Sequence, residues 1–239
     1  MKISPSKRHF PYKHPTFGTA ARPKPASAWQ KTIYYLWWAY LKRNQTYLDA
    51  CAKGGAGALA AIYADFGDVR SDDFKAWWTE GGRGVRLFAE PRAEDSVRVL
   101  QEGERALAAS EALTLSLPLS LPKRLLERRI KELLAKHHTG KRGHQLAKKS
   151  QAKYRVQGQP NINALALGLE VYDFKQANPD LALWEIGNRV RRVSMDNKLE
   201  QQDKKPDKTT KKRIMAATVS RYLKRVKLSI ERTGAGLFL

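Results

Sequence analysis

Residues 212–234 read KRIMAATVSRYLKRVKLSIERTG. Met215, Val219, Tyr222, Leu223, Val226 and Ile230 recur at helical spacing, which makes one apolar stripe on a 3.6-residue helix. The same stretch carries seven basic side chains against one acidic residue. Arg221, Lys224, Arg225 and, at the edge, Lys227 project away from the stripe. The pattern predicts a helix that buries one side and offers its cations on the other. Thr209 or Thr210 is the expected N-cap, and Gly234 with Gly236 the stop. Such a stripe needs other helices to cover it, so the stretch sets the expectation of a mainly α fold.

Composition narrows the partners. The chain has 239 residues and a formal net charge of +22, with 42% hydrophobic residues, enough to bury a real core. An excess of Lys and Arg on this scale self-repels and favours polyanions. The cations are grouped in residues 1–60, 121–160 and 201–239, with acidic or near-neutral stretches between them. No run approaches the ~18 apolar residues of a spanning helix. The opening MKISPSKRHFPYKHP lacks the apolar core of a secretory signal. Cys51 is the single cysteine, which leaves no internal disulfide and no cysteine-based zinc site. A cytoplasmic location is expected.

Three parts follow along the chain. Residues 1–28, rich in Pro, Lys and Ser, read as a basic arm that is disordered alone. Residues 29–110 read as a helical interaction domain, a surface for a protein partner or a second copy. Its first helix runs through IYYLWWAYLKRNQTYLDAC to the glycines at 54–55; a second carries Leu59, Ile62, Tyr63 and Phe66. Ser71 or Asp72 is the expected cap of a third, DDFKAWWTE. GVRLFAEP and SVRVLQ read as short strands. LTLSLPLSLP places Leu113, Leu115, Leu117, Leu119 and Leu121 at period two, and the simplest pairing is a small β-hairpin of 97–100 with 113–119 joining two helical halves. Residues 111–239 read as a helical DNA-binding domain. In KRLLERRIKELLAKHH, Leu126, Ile130, Leu133 and Leu134 share one face, with Lys123, Arg124, Arg128 and Lys131 opposite. INALALGLEVYDF is apolar nearly all round and is expected to be the central helix of this half. Asp180 is the expected cap of LALWEIGNRVRRV.

LALWEIGNRV followed by TVSRYLKRV resembles the two helices of a helix-turn-helix module. Ile186, Gly187 and Val190 stand at the packing positions of the first, and Ser220, Arg221, Lys224 and Arg225 on the polar face of the second. The resemblance implies DNA binding by the second helix, although a long charged insertion replaces the usual turn of ~3–4 residues. WWAYLKRNQTYLDA is similar to a stretch of small proteobacterial transcriptional-regulator-like domains. YADFGDV, DFKAWW and RLFAEP resemble proteins of phages and integrating elements. These likenesses imply a bacterial, mobile-element setting and carry no chemistry.

The expected nucleic-acid contacts are Lys141, Arg142, Lys148, Lys149, Lys153 and Arg155 on phosphates, because spaced cations gain affinity by releasing counterions. Lys211, Lys212 and Arg213 extend that set. Ser220, Arg221, Lys224, Arg225 and Lys227 would face the groove, where Arg pairs bidentately with guanine. Duplex DNA is favoured over RNA. Trp37, Trp38, Trp77 and Trp78 could stack on single strands, but core packing accounts for them better. His137, His138 and His144 lie among Lys and Gly, so no metal site is expected there. Asp65, Asp68, Asp72, Asp73 and Glu80 form one acidic patch. A magnesium nuclease built on it is the alternative, together with an RNA-binding protein. The preferred expectation is a DNA-binding regulator or accessory factor with no catalytic residue, no cofactor and no membrane partner.

Overall fold

The run IYYLWWAYL, Ile33–Leu41, buries eight of its nine residues and forms the helix around which the others pack. In the computed structural model, residues 10–90, 100, 113–137, 150–190, 193, 199–200 and 203–238 are described. Among them every regular element is a helix: α1 Ser27–Gln30, α2 Ile33–Leu41, α3 Gln45–Ala52, α4 Ala60–Phe66, α5 Phe74–Thr79, α6 Arg83–Phe88, α7 Lys123–His137, α8 Ile162–Ala177, α9 Leu183–Arg189 and α10 Lys205–Gly234.

The local chemistry sets the boundaries. Thr32 starts α2, its hydroxyl accepting from Tyr35 N at 3.3 Å. The single helix expected over 33–51 breaks at Lys42–Asn44 because Asn44 caps a new one, accepting from Tyr47 N at 2.9 Å. Asp73, rather than Ser71 or Asp72, caps α5 by accepting from Ala76 N at 2.8 Å. Asp180 does not cap α9; that helix starts after Ala182, whose N–H donates to Glu185 Oε2 at 2.8 Å. α10 begins at Lys205, ahead of the threonines expected to cap it, with Pro206 in its first turn.

Two expectations of β structure fail. GVRLFAEP is helical over Arg83–Phe88, where Arg83, Gly84, Leu87 and Phe88 are buried at helical spacing. Gly81 and Gly82, at φ 54° and 65°, turn the chain so that this helix can restart against α5. Of the expected hairpin, residues 97–99 lie outside the described residues, and 113–119 form no strand. Leu113, Leu117 and Leu119 are exposed there, so their period-two spacing marks no buried sheet face. Pro118 also withholds a ladder donor. The described residues contain only isolated bridges, Gly18 with Pro23 and Val156 with Phe238.

The main core joins chain segments far apart in sequence. It gathers α2 with Phe66, Phe74, Trp77, Trp78, Leu87 and Phe88, and adds Val156, Leu169, Val226, Ile230 and Phe238 from the second half. Trp37 sits 5.2 Å from Phe88 and 5.3 Å from Phe238, centroid to centroid. All four tryptophans weighed above as stacking platforms are core residues. A smaller cluster of Leu167, Val171, Ile186, Val190 and Val219 joins α8, α9 and α10. Residues 10–26 have little regular structure, yet Phe10, Tyr12 and Phe17 pack against the main core; Tyr12 N donates to Tyr34 Oη at 3.3 Å.

Helix α10 is held from three sides. Gly168 of α8 lets Val226 approach: a Cβ there would lie 2.8 Å from Val226 Cγ2. Gly187 of α9 does the same for Met215, at 3.0 Å from its Cβ. Asn44 Nδ2, at the start of α3, donates to Ile230 O at 2.8 Å. The α9–α10 pair is therefore close-packed at Ile186, Gly187 and Val190. It is still no helix-turn-helix: residues 190–204 separate the two helices, and Arg221 lies in the middle of one 30-residue helix.

Candidate nucleic-acid interface

Met215, Val219, Val226, Ile230, Thr233 and Gly234 form the buried side of α10. That burial fixes what faces outward. Arg213, Ser220, Arg221, Lys224, Arg225 and Lys227 are all exposed, and helical spacing puts them on one arc opposite the core. Arg221 donates only to Thr218 Oγ1, at 3.3 Å. No ion pair neutralises these cations among the described residues. Arg232, absent from the sequence-based set, is exposed on the same side. Its spacing from Arg221, Arg225 and Leu228 is the signal that would have found it. At 1.5 Å per residue the cations from Arg213 to Arg232 span ~28 Å. Ala217, Ile214 and Leu228 lie among them, the last two 39% and 47% exposed.

The remaining predicted contacts divide. Lys141, Arg142, Lys148 and Lys149 lie outside the described residues. Lys153 is tied to Asp65 at 2.7 Å, whereas Arg155 is exposed. The bridge between Val156 and Phe238 sets Arg155 beside the segment that follows α10. Lys211 pairs with Asp203 at 2.8 Å, and this hydrogen bond raises the lysine's pKa. Asp203 is lowered in turn, first by the Glu200 N–H and then by Lys211. Lys212 lies over the Trp184 ring, 3.8 Å from its centroid. Lys153, Lys211 and Lys212 thus have structural partners, and the outward face of α10 does not.

The acidic patch is distributed among other tasks. Asp65 takes a hydrogen bond at 2.7 Å from each of Lys153 and Tyr154. Burial raises its pKa, but those two bonds outweigh burial and hold the carboxyl below its usual range. Tyr154 is pushed up by burial and then by this carboxylate. Asp68 is lowered by its hydrogen bonds from Arg70. Asp72 pairs with Lys42, which also donates to Ser71 O at 2.9 Å and sits 4.8 Å above the Trp38 ring. Asp73 caps α5, and Glu80 pairs with Arg83 at 2.8 Å. No three His, Cys, Asp or Glu side chains converge among the described residues. His137 is exposed at the end of α7; His138 and His144 lie outside the described residues. Cys51 is buried, which pushes its thiol up. No helix among the described residues is long and apolar enough to cross a membrane. No family model matches this chain, and no curated protein or solved structure is significantly similar to it.

Proposed function

We propose that this protein binds nucleic acid, duplex DNA ahead of RNA, through the outward face of α10. The observation that carries the reading is the row Arg213, Arg221, Lys224, Arg225, Lys227 and Arg232. These six cations stand exposed, without acidic partners among the described residues, on a helix whose other side is locked into the core. The helix backbone beneath such a row needs no ordering on binding, so only the side chains lose freedom when they meet phosphates. The B-DNA major groove, about 12 Å wide, admits an α-helix. A face carrying Arg at 221 and 225 with Ser220 between flanking lysines has donors for base edges as well as for phosphates. The role of regulator or accessory factor in a bacterial phage or integrating element is part of this proposal and rests on the sequence resemblance. Cytoplasmic location is part of it too.

Fluorescence anisotropy with labelled random duplex, single-stranded DNA and structured RNA over a salt series tests the reading. The expected outcome is tightest binding to duplex, with log affinity falling linearly in log salt at a slope of about −0.9 per phosphate contacted. Arg221→Glu with Arg225→Glu should remove most of it while leaving the helical circular dichroism unchanged, because both side chains are exposed. A flat salt response, or full binding by that variant, overturns the proposal. Tighter binding to RNA transfers it to the RNA class.

A further inference from the structure

Six of the ten exposed large apolar side chains among the described residues fall within 113–134: Leu113, Leu117, Leu119, Leu121, Leu133 and Leu134. Within 29–110, where a protein-partner surface was expected, only Leu100 is of this kind among the described residues. The six belong to α7 and the segment leading into it. α7 buries no residue, although Leu125, Leu126 and Ile130 are partly covered. Its helicity has local causes: Leu, Lys, Arg and Glu are strong helix formers, Pro122 precedes the first turn, and Arg129–Glu132 (3.1 Å) and Lys123–Glu127 (3.9 Å) pair along its surface. Leu126, Ile130, Leu133 and Leu134 make a stripe about two turns long. Lys123, Arg124, Arg128, Arg129, Lys131 and Lys136 surround it against Glu127 and Glu132 only.

We propose that α7, with the leucine-bearing segment 113–121, is an interfacial anchor that lies on anionic lipid surfaces. Such helices combine a narrow apolar face, low mean hydropathy and a Lys/Arg-rich polar face. They bind by burying that face at the headgroup boundary while the cations meet anionic headgroups. A second copy fits less well. Two α7 helices would bring like charges together across the contact. Duplex DNA fits less well again, because phosphates give the leucines nothing to bury against. Leu113, Leu117, Leu119 and Leu121, in the segment before the helix, widen the exposed apolar surface beyond it, which suits a continuous bilayer better than a partner's groove. This departs from the expectation of no membrane partner. The proposal is independent of the nucleic-acid reading, since the two use different elements.

The test is cosedimentation of the full-length protein with vesicles of phosphatidylcholine alone and of phosphatidylcholine with phosphatidylglycerol. A chain of charge +22 adheres to anionic vesicles without any anchor, so the apolar variant decides. Leu133→Gln with Leu134→Gln changes exposed residues only and leaves the fold intact. The expected result is binding to the phosphatidylglycerol vesicles, weakened about tenfold by the leucine variant, with duplex affinity unchanged. Equal vesicle binding by variant and wild type overturns the anchor and assigns the adhesion to general charge. A concentration-dependent dimer that the leucine variant dissociates, without vesicle binding, overturns it in favour of a second copy.

Discussion

At Asn44 both ends of one amide are engaged, and the fold depends on each. Oδ1 caps α3 while Nδ2 reaches Ile230 O near the end of α10, with Gly234 packed so closely that a Cβ would lie 2.4 Å from Nδ2. Asn44→Ala removes a cap and leaves a buried carbonyl without this donor, so it should cost about 2 kcal/mol in denaturant unfolding. Asn44→Asp keeps the cap but sets a buried carboxylate oxygen against Ile230 O, and should be at least as destabilising as Ala. Asp65 is a second pivot. Its pKa is lowered in the fold, so as pH falls below about 4 the unfolded chain takes up its proton before the folded one does. The stability Asp65 contributes is present above that pH and lost as pH falls through its lowered folded value. Asp65→Asn should therefore flatten the acid limb of a stability–pH curve measured by urea unfolding. Asn44 could be read from the sequence as a capping residue type, but its bond to a carbonyl 186 positions away could not.

At the scale of elements, periodicity was informative where an apolar stripe met a core. The stripe of α10 was legible because Met215, Val219, Val226 and Ile230 all pack inward. The alternation in 113–121 misled because leucine spacing reports burial only if a core covers the leucines, and here Leu113, Leu117, Leu119 and Leu121 stay exposed. GVRLFAEP misled for a different reason: Val85 and Leu87 alternate, but the paired burial of Leu87 with Phe88 follows helical spacing. The cations were legible as a class, whereas their partners were not. Asp203 and Trp184 come to Lys211 and Lys212 from other segments, and Asp65 reaches Lys153 across 88 positions. This gives a sharp contrast. Arg221→Ala and Arg225→Ala should each weaken duplex binding by about 1–3 kcal/mol on a preferred site. Lys211→Ala and Lys212→Ala should lower thermal stability more than they lower duplex affinity. Anisotropy and thermal melts on the four variants decide between the groups.

For the whole molecule, the shared core makes the two halves one cooperative system. Arg43 donates to Asp173 Oδ1 at 2.6 Å, and Tyr40 Oη donates to Leu165 O at 3.1 Å, so α2 and α8 are tied by polar as well as apolar contacts. Removing residues 1–26 takes away Phe10, Tyr12 and Phe17, which pack on that core. The melting temperature should drop by roughly 5 °C or more, a shift that calorimetry reads directly; removing residues 1–9 alone serves as the reference. One packing contact also bears on how the chain is made. Trp37 and Tyr40 lie against Phe238, whose centroid is 5.3 and 5.2 Å from theirs. A ribosome adding about 5–20 residues per second needs ~10–40 s to travel from α2 to Phe238. Through most of that interval the most apolar helix among the described residues has left the exit tunnel while its last aromatic neighbour does not yet exist. The nascent chain must shelter IYYLWWAYL in a provisional packing or on a chaperone, and the slow variable in its biogenesis is the arrival of a partner rather than the search for one.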